Sequence, residues 1–494
     1  MATTITHDAS TNEPFIPMRI AFIHPDLGIG GAERLVVDAA VGLQSLGHKV
    51  TMYTSHHDPT HCFEETRDGT LTVQVGGNAI VPRTILGRFY IICAILRNLH
   101  LAWIVLQLNN NTPPKEKLDI IIVDQLSVSI PLLRWTDARI FFYCHFPDKL
   151  LTKRESLLKK IYRVPVDFIE EVTTGMADTI VVNSKFTANI FKESFKMLRQ
   201  IPEVLYPSIQ FDKFDKEVNY SAPDIKILTS FLSPVSNNNN INNNRTEKIT
   251  FLSINRYERK KDINLAIHAF AGLLKDKYLS VSTQQSLRLV IAGGYDTRVT
   301  ENVEHHLELV NLAEKIHGLR TFTLSSGQTD TQVPVETQVL FLQSITDAQK
   351  LYLLQTARAL LYTPTNEHFG IVPVEAMYMR CPVIAVNSGG PTESILHGKT
   401  GYLCSAQEHV WTNTLKLLVK ASEEELKEMG QTGHDRVVSL FSLTVFVSKL
   451  NGILVQMQQQ SSYELKSYGL FDSSMRPLFI FSVLSIVLAI MLYH

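Results

Sequence analysis

The sequence has little cysteine and no excess of charge of either sign. Its five cysteines are odd in number and form no C-x-x-C pair, which argues against a disulfide framework or a structural zinc site and favours a reducing compartment. The 47 Lys and Arg against 48 Asp and Glu give a net charge of -1, which argues against a general nucleic-acid binder. Because no basic stretch precedes an apolar run near the N-terminus, we expect no secretory signal.

Apolar residues, by contrast, are plentiful. Hydrophobic types make up 45% of the chain, charged types make up 19%, and mean hydropathy is +0.03. This composition is typical of a globular chain that is more apolar than a freely soluble protein needs to be, so contact with a membrane is expected. A length of 494 residues exceeds one ordinary core and predicts two or three domains.

Short apolar runs alternate with helical patterns in two series along the chain. The first series begins with the strand-like run 18–24, followed by a glycine turn, a helix and a second strand, which is the size of a βαβ unit. The second series begins with the run 249–255. Such alternation predicts parallel sheets covered on both faces. We therefore predict an α/β protein with two doubly wound, Rossmann-like domains facing each other across a cleft.

The predicted domain boundaries follow from the positions of the two series. An N-terminal domain is expected at 18–206, a C-terminal domain at 207–445 and a helical return at 446–476. The Asn-rich stretch 233–248 cannot pack a core, and we interpret it as a solvated insertion in the second domain.

Two segments are more apolar than globular packing requires, and both are predicted to associate with a membrane. Residues 85–108 carry only Arg88, Arg97 and His100 as ionisable groups, which favours a membrane-facing amphipathic helix, with a buried core helix as the alternative. As a helix, residues 477–493 would span about 25 Å, slightly less than a bilayer core of about 30 Å. They are expected to cross a thin membrane or to lie at its surface.

A glycine turn follows the first predicted strand. Gly28, Gly30 and Gly31 lie where a strand meets a helix, so the bare backbone and the helix N-terminus can receive a phosphate or a sugar. A dinucleotide fingerprint fails here because its third glycine position is Glu33. A tight turn without a ligand is the alternative.

Positive side chains follow the first strand of the second series. Arg256, Lys260 and Lys261 come after the run 249–255, at the strand end where open parallel sheets bind ligands. Arg and Lys at this spacing can hold two phosphates, the Arg through its planar fork. The alternative is a solvated run of charge.

Two glutamates eight residues apart flank a predicted helix start. Glu367 lies in the loop after a strand-like run, and Glu375 lies about one turn inside the following helix. One carboxylate can contact a sugar and the other a ribose, while the backbone of Gly370, Ile371 and Val372 faces a diphosphate. A second glycine loop after the next strand makes the combined signal specific.

His145 ends the strand-like run 139–145 in the first series. A histidine at this strand end can bind a sugar or share a proton, and we include it among the candidate catalytic residues. A buried core histidine whose hydrogen bonds are satisfied is the alternative.

These motifs resemble those of the retaining glycosyltransferases of family 4, which have the GT-B fold. The resemblance is carried by the glutamate pair, the basic pair and the first glycine turn, namely Glu367-x7-Glu375, Arg256…Lys261 and Gly30-Gly31-Ala32-Glu33. Longer stretches such as FYCHFPDKLLTKRES, SINRYERKKD and NEHFGIVPVEAM are similar to the α-1,3/1,6-mannosyltransferase group of dolichol-linked oligosaccharide (N-glycan precursor) assembly, and such stretches span most of residues 18–445.

The resemblance implies GDP-mannose as the donor and Man-GlcNAc2-PP-dolichol as the acceptor. Two mannoses would be added, one α-1,3 and one α-1,6, at the endoplasmic reticulum membrane with the catalytic domains facing the cytoplasm. Other enzymes of the same pathway are expected partners, and nucleic acid is not. The alternatives are another family-4 glycosyltransferase acting on a different lipid-linked acceptor, and a catalytically silent nucleotide-sugar-binding scaffold.

The resemblance also implies roles for individual residues. Arg256 and Lys261 match the donor-phosphate cations, and the neighbouring Lys260 leaves the choice of lysine open. Glu375 matches the acid that holds the nucleotide ribose, and Glu367 the acid that contacts the transferred sugar. Because fixed cations and helix N–H groups can stabilise the charge that develops on the departing GDP, no metal or other cofactor is expected.

Overall fold

A computed structural model of the chain describes residues 16–77, 81–82, 84, 90–151, 157–232, 248–328 and 331–460. In these ranges the chain forms two sheets of seven strands each. The strands of the first sheet are β1 (Arg19–His24), β2 (Lys49–Thr54), β3 (Thr72–Val75), β4 (Ile120–Asp124), β5 (Arg139–Cys144), β6 (Thr179–Val182) and β7 (Glu203–Val204). Those of the second are β8 (Ile249–Ile254), β9 (Leu287–Gly293), β10 (Thr321–Leu324), β11 (Val339–Gln343), β12 (Ala359–Tyr362), β13 (Val383–Val386) and β14 (Gly401–Cys404).

Helices connect most of these strands. In chain order they are α1 (Gly31–Ser45), α2 (Tyr90–Asn111), α3 (Ile130–Leu133), α4 (Asp148–Leu151), α5 (Leu157–Thr174), α6 (Lys185–Ser194), α7 (Phe211–Phe214), α8 (Pro223–Leu232), α9 (Ile263–Leu274), α10 (Val281–Ser286), α11 (Thr300–Asn311), α12 (Asp347–Thr356), α13 (Ile371–Tyr378), α14 (Pro391–Ser394), α15 (Glu408–Lys420), α16 (Glu423–Phe441) and α17 (Leu443–Gln459). Two of them start with a capping box, α12 through Thr346 and Gln349 and α16 through Ser422 and Glu425.

The chain divides into two compact units. The described residues of the N-terminal unit fall within 16–182, 191–203 and 447–460, and those of the C-terminal unit within 183–190 and 204–446. The last part of the described chain therefore belongs to the N-terminal unit. Of the predicted helical return at 446–476, residues 446–459 lie in α17 and 461–476 lie outside the described residues.

The sheet of the N-terminal unit has the strand order β3-β2-β1-β4-β5-β6-β7. β1 pairs in parallel with both β2 and β4, so the strand order reverses between β1 and β4. All five residues of β4 are buried, as expected for a central strand of Ile and Val covered on both faces. α17 packs on α1, because a Cβ at Gly42 would lie 2.1 Å from Val447 Cγ2.

The C-terminal unit repeats this design. Its strand order is β10-β11-β9-β8-β12-β13-β14, with the reversal between β8 and β12. Neighbouring residues of β8 contribute to two different buried clusters, Phe251 to one and Leu252 to the other. The sheet is therefore covered on both faces, and the carboxyl ends of its central strands are left for loops.

α2 contains most of the first predicted apolar segment, of which residues 85–89 lie outside the described residues. Its stretch Ile91–Asn111 is long and apolar enough to cross a membrane, and 44% of an 18-residue window within it is buried in the protein. Leu101 and Val105 are fully buried, whereas Trp103 and Leu108 are 46% and 44% exposed. The helix thus packs one face on the N-terminal unit and exposes apolar side chains elsewhere. The second apolar segment, 477–493, and residues 233–247 of the Asn-rich stretch also lie outside the described residues.

Candidate active site

A lysine–glutamate pair lies at the carboxyl edge of the C-terminal sheet. Lys261, in the turn that follows β8, places its Nζ 2.6 Å from Oε2 of Glu367, in the loop that follows β12. Because the strand order reverses between these two strands, the pair occupies the switch point where open α/β sheets bind ligands. The two side chains are 17% and 23% exposed, so solvent and a ligand can reach them.

The loop carrying Glu367 has a backbone that tolerates little change. Gly390 N–H donates to the Glu367 carbonyl over 2.8 Å, and Asn366 N–H donates to Ser388 Oγ over 3.0 Å. Gly389 has a φ of 68°, and a Cβ there would lie 2.4 Å from the Glu367 carbonyl oxygen. The close approach and the left-handed backbone together require glycine at this position.

Tyr362 holds the Glu367 side chain from a second direction. Burial, followed by the charge and hydrogen bond of Glu367, raises the pKa of Tyr362 well above its ordinary value. Its hydroxyl therefore stays protonated and donates to the carboxylate. Glu367 is thus fixed between a cation and a neutral donor, which orients its carboxylate.

Helix α13 begins at Ile371, four residues after Glu367. Gly370, with a φ of 84°, precedes the helix and provides no side chain to cap it. Pro373 contributes no N–H, so the N–H groups of Ile371 and Val372 remain as the donors of the first turn. These groups carry the partial positive charge of a helix start and are suited to an anion.

Glu375, inside α13, pairs with Lys350, which was not among the residues predicted from the sequence. Lys350 on α12 places its Nζ 2.5 Å from Glu375 Oε2, and the two side chains are 24% and 12% exposed. The only signal for Lys350 was its place in a helical pattern, which gives no reason to connect it to a glutamate 25 residues later. The pair neutralises a carboxylate that would otherwise be buried with unpaired charge.

The other predicted cations lie apart from these pairs. The side chains of Arg256 and Lys260 are 70% and 73% exposed, and both approach Glu258, at 3.9 Å and 3.1 Å. Of these three predicted cations, Lys261 contacts Glu367, whereas Arg256 and Lys260 lie at the surface.

In the N-terminal unit, an aspartate lies between two histidines. Asp124 ends β4, and its carboxylate oxygens lie 2.7 Å from His145 Nε2 and 2.8 Å from His24 Nδ1. His24 ends β1, so His24 and Asp124 occupy the switch point of this sheet. The prediction singled out His145 but missed the other two, whose signal was a polar residue closing an apolar strand.

The charges in this network reinforce one another. Burial opposes a charge on His24, but the hydrogen bond to Asp124 and the negative charges of Asp124 and Glu33 outweigh burial and raise the pKa of His24 to about 9. Burial likewise opposes ionisation of Asp124, but the charges and hydrogen bonds of His145 and His24 lower its pKa to about 2. Near neutral pH the network therefore contains a carboxylate beside an imidazolium.

The predicted glycines adjoin this network. Glu33 Oε1 lies 3.7 Å from His24 Nε2, and a Cβ at Gly30 would lie 2.2 Å from Glu33 Oε2. Gly30 thus makes room for the Glu33 carboxylate, while a Cβ at Gly31 would meet no atom within 4 Å. The predicted donor contacts of Gly30 and Gly31 stay a prediction. Across the described residues, no group of three or more His, Cys, Asp or Glu side chains is arranged to hold a metal ion.

Comparison with known proteins connects this geometry to an enzyme family. A family model described as Glycosyltransferase Family 4 matches residues 29–213, and one described as Glycosyl transferases group 1 matches residues 235–436. The chain is 50% identical over 456 residues to Alpha-1,3/1,6-mannosyltransferase ALG2 of Rhizomucor pusillus, covering 92% of this chain and 95% of that protein. The chain belongs to the α-1,3/1,6-mannosyltransferase family.

Two further members of this family have a similar sequence identity to this chain. Alpha-1,3/1,6-mannosyltransferases ALG2 of Dictyostelium discoideum and Homo sapiens are each 45% identical to this chain. The matches cover 89% and 87% of this chain, and 98% and 94% of those proteins. The predicted family resemblance is confirmed, and the chain is a glycosyltransferase.

Solved structures confirm the predicted α/β class and the GT-B fold. Sucrose-phosphate synthase of Thermosynechococcus elongatus aligns with a TM-score of 0.64 at 17% identity, over 89% of this chain and 99% of that one. Anabaena Alr3699/HepE, solved in complex with UDP and glucose, aligns with a TM-score of 0.59 at 17% identity, over 89% and 100%. At 17% identity these comparisons show a shared fold. They do not identify the substrates of this α-1,3/1,6-mannosyltransferase chain.

Proposed function

We propose that this chain transfers mannose from GDP-mannose to Man-GlcNAc2-PP-dolichol, adding one α-1,3 and one α-1,6 mannose in early N-glycan precursor synthesis. The observation that carries the proposal is the Lys261–Glu367 pair beside the start of α13, at the switch point of the C-terminal sheet. The name shared by the relatives supports mannose as the transferred sugar.

The C-terminal unit is suited to a departing nucleoside diphosphate. Breaking the bond between the sugar and the phosphate leaves negative charge on GDP, and preorganised donors stabilise that charge most effectively. Lys261 supplies a cation, and Ile371 and Val372 supply backbone N–H groups beside it. We propose that these groups bind the diphosphate, and that Arg256 adds its guanidinium from the exposed side of the turn.

The two glutamates take different parts of the donor in this proposal. Glu375 accepts hydrogen bonds from the ribose hydroxyls, and the contact with Lys350 orients its carboxylate. Glu367, which Tyr362 orients and which pairs with Lys261 until the diphosphate binds, contacts the transferred sugar. We propose that transfer proceeds with retention through a same-face, oxocarbenium-like route, and that His145 binds a sugar or shares a proton.

We further propose that the enzyme works at the endoplasmic reticulum membrane with its catalytic units facing the cytoplasm. A dolichol-linked acceptor stays in the bilayer, so the enzyme must contact the membrane to reach it. The exposed Trp103 and Leu108 of α2 support such contact, since an aromatic ring and an apolar side chain suit the interface. Other enzymes of the same pathway are the expected partners at that surface.

No metal is needed in this proposal, because Lys261 and the α13 amides provide the stabilising charge. We therefore expect EDTA to change the rate of mannose transfer by less than about twofold, since no divalent ion contributes to the barrier. Transfer is measured with and without the chelator, followed by Mg²⁺ or Mn²⁺ addition. A loss that either ion restores would contradict the metal-free mechanism.

The test of the proposed function uses the full chain in detergent or liposomes. Incubation with GDP-mannose and Man-GlcNAc2-PP-dolichol is expected to give products heavier by one and then by two hexoses. Linkage-specific α-mannosidases should remove one α-1,3 and one α-1,6 residue. UDP-glucose and UDP-N-acetylglucosamine serve as control donors. Transfer only from a control donor, or only to another lipid acceptor, would favour a different family-4 glycosyltransferase, and binding without transfer would favour a scaffold.

A further inference from the structure

The network around Asp124 determines which nitrogen of His145 carries a proton. An ionised carboxylate only accepts hydrogen bonds, so both histidine nitrogens that face Asp124 must be protonated. His145 therefore has its proton on Nε2, and Nδ1, on the other edge of the ring, is an acceptor when the ring is neutral. The position of one buried carboxylate thus fixes the chemistry of a more exposed imidazole.

The ring of His145 is also held in place mechanically. The Tyr143 ring packs against it with a centroid distance of 4.8 Å. The loop that follows is anchored by Glu170, which accepts from the N–H groups of Asp148 and Lys149 over 2.6 Å and 2.9 Å. The His145 side chain remains 23% exposed, whereas Asp124 is only 1% exposed.

His24 holds Asp124 from the interior. It is 1% exposed, its Nδ1 faces Asp124 and its Nε2 approaches Glu33 beside the glycine turn. These contacts extend from Glu33 in the first turn of α1 to His145 after β5. Neither His24 nor Asp124 is exposed enough to meet a sugar, so they can act only through His145.

We propose that Asp124 and His24 are positioning residues for His145: Asp124 fixes its ring with Nε2 protonated, and His24 holds Asp124 in place for that contact. This inference rests on the proposed mannose transfer, in which His145 contacts a sugar or shares a proton. Replacing Asp124 by Asn would set an amide N–H₂ against one of the two histidines and favour the wrong tautomer.

A double-mutant cycle tests the proposal. With the full chain, GDP-mannose and the lipid-linked trisaccharide, Asp124→Asn is expected to lower kcat on the order of 10- to 100-fold and to change the donor KM less than about threefold. In the His145→Ala background the same change should alter kcat less than about twofold, because its effect passes through the missing ring. Equal losses in both backgrounds would overturn the positioning role.

Asp178→Asn is the matched control. Asp178 is also a buried carboxylate of the N-terminal unit, bonded to Arg134 over 2.6 Å and to Ile140 N–H over 2.7 Å, and it has no place in the His24–Asp124–His145 network. This variant is expected to lower the melting temperature while keeping kcat, and an equal loss of kcat would attribute the Asp124 effect to folding.

If Asp124→Asn does not fold, the same cycle is run with His24→Asn, which acts at the buried end of the network. If the unmodified chain transfers a sugar only from another nucleotide, the proposed donor is wrong, and the cycle is measured with that nucleotide. The positioning role and the proposed function therefore fail through different results.

Discussion

The two units place a charged pair at the same topological position but use it in different environments. Each sheet reverses its strand order between two central strands, at His24 and Asp124 in one unit and at Lys261 and Glu367 in the other. The first pair is 1% exposed on both sides, and the second is 17% and 23% exposed. The comparison indicates that the His24–Asp124 pair is inaccessible to a ligand and orients His145. In the other pair, Lys261 can exchange Glu367 for a ligand.

This difference has a physical basis. A buried ion pair is costly to break, because removing one partner leaves an uncompensated charge in a medium of low dielectric. The partly exposed pair of Lys261 and Glu367 is weaker, since water screens it, and a diphosphate can replace the carboxylate as partner of the lysine. Substitutions in the C-terminal unit should therefore affect chemistry, and those in the N-terminal unit should affect stability as well.

The largest effect is expected from Lys261. Lys261→Ala should lower kcat/KM on the order of 10³-fold, because it removes the cation nearest the departing diphosphate. Lys260→Ala, which removes the adjacent and 73% exposed lysine, is the matched control and should cost less than about threefold. Steady-state transfer kinetics distinguish the two. Equal losses in both variants would show that the turn acts by its net charge and that the Glu367 contact is incidental.

The second-largest loss of activity is expected from Gly389, whose backbone contacts that of Glu367. Gly389→Ala should lower kcat about 100-fold, because the new Cβ would push on the Glu367 backbone and move its carboxylate. Gly398→Ala is the control, since Gly398 has a similar φ of 75° but no atom within 4 Å of its Cβ position. Both variants should melt at lower temperature, and only Gly389→Ala should lose activity. Full activity in Gly389→Ala would contradict the requirement for glycine.

A smaller effect is expected from Glu375, which the proposal assigns to the ribose. Glu375→Gln should raise the donor KM about tenfold by removing a charged hydrogen bond, with little change in acceptor KM. Lys350→Met provides the comparison, since it removes the partner and leaves the carboxylate. It should raise the donor KM less than Glu375→Gln does, and the opposite ranking would make Lys350 the donor contact.

The smallest effect is a pH dependence of stability in the N-terminal unit. The pKa of His24 is raised from 6.5 to about 9, so its stabilising contribution is complete below pH 6.5 and is lost as pH rises through about 9. His24→Asn should melt lower at pH 6.5 and lose a few degrees less than the unmodified chain between pH 6.5 and 9.5.

The exposed His409 provides the control for this pH series. His409→Asn should keep the alkaline decline of the unmodified chain, because His409 lies on the surface of the other unit. Differential scanning fluorimetry across the pH range measures all three proteins. An unchanged alkaline decline in His24→Asn would mean that His24 does not stay charged in the folded state.

The central strands were predictable from sequence and the sheet edges were not. β4 (IIIVD) and β9 (LRLVIAG) are nearly continuous apolar runs, because both faces of a central strand are covered. The edge strands β3 (TVQV) and β10 (TFTL) have mostly polar or partly exposed residues and carry no such run. Their pairing is decided by the neighbouring strand, which is a tertiary effect that periodicity does not record.

In the candidate site too, some residues could be predicted from the sequence and others could not. Glu367 and Lys261 were predictable because each follows an apolar strand and matches a family motif. Lys350, His24 and Asp124 were missed, because only the fold brings their partners to them: Glu375 is 25 residues from Lys350, and His24 and His145 are 100 and 21 residues from Asp124. Local sequence identifies the loops that contain chemistry, and the packing of neighbouring elements determines which side chains form pairs.

The most direct test of the account is an experimental structure of the full chain with GDP bound. We expect diphosphate oxygens within about 3 Å of Lys261 Nζ and of the Ile371 or Val372 N–H groups, with the Lys261–Glu367 contact lengthened. GDP bound away from the start of α13, or with Lys261 still paired only to Glu367, would contradict it.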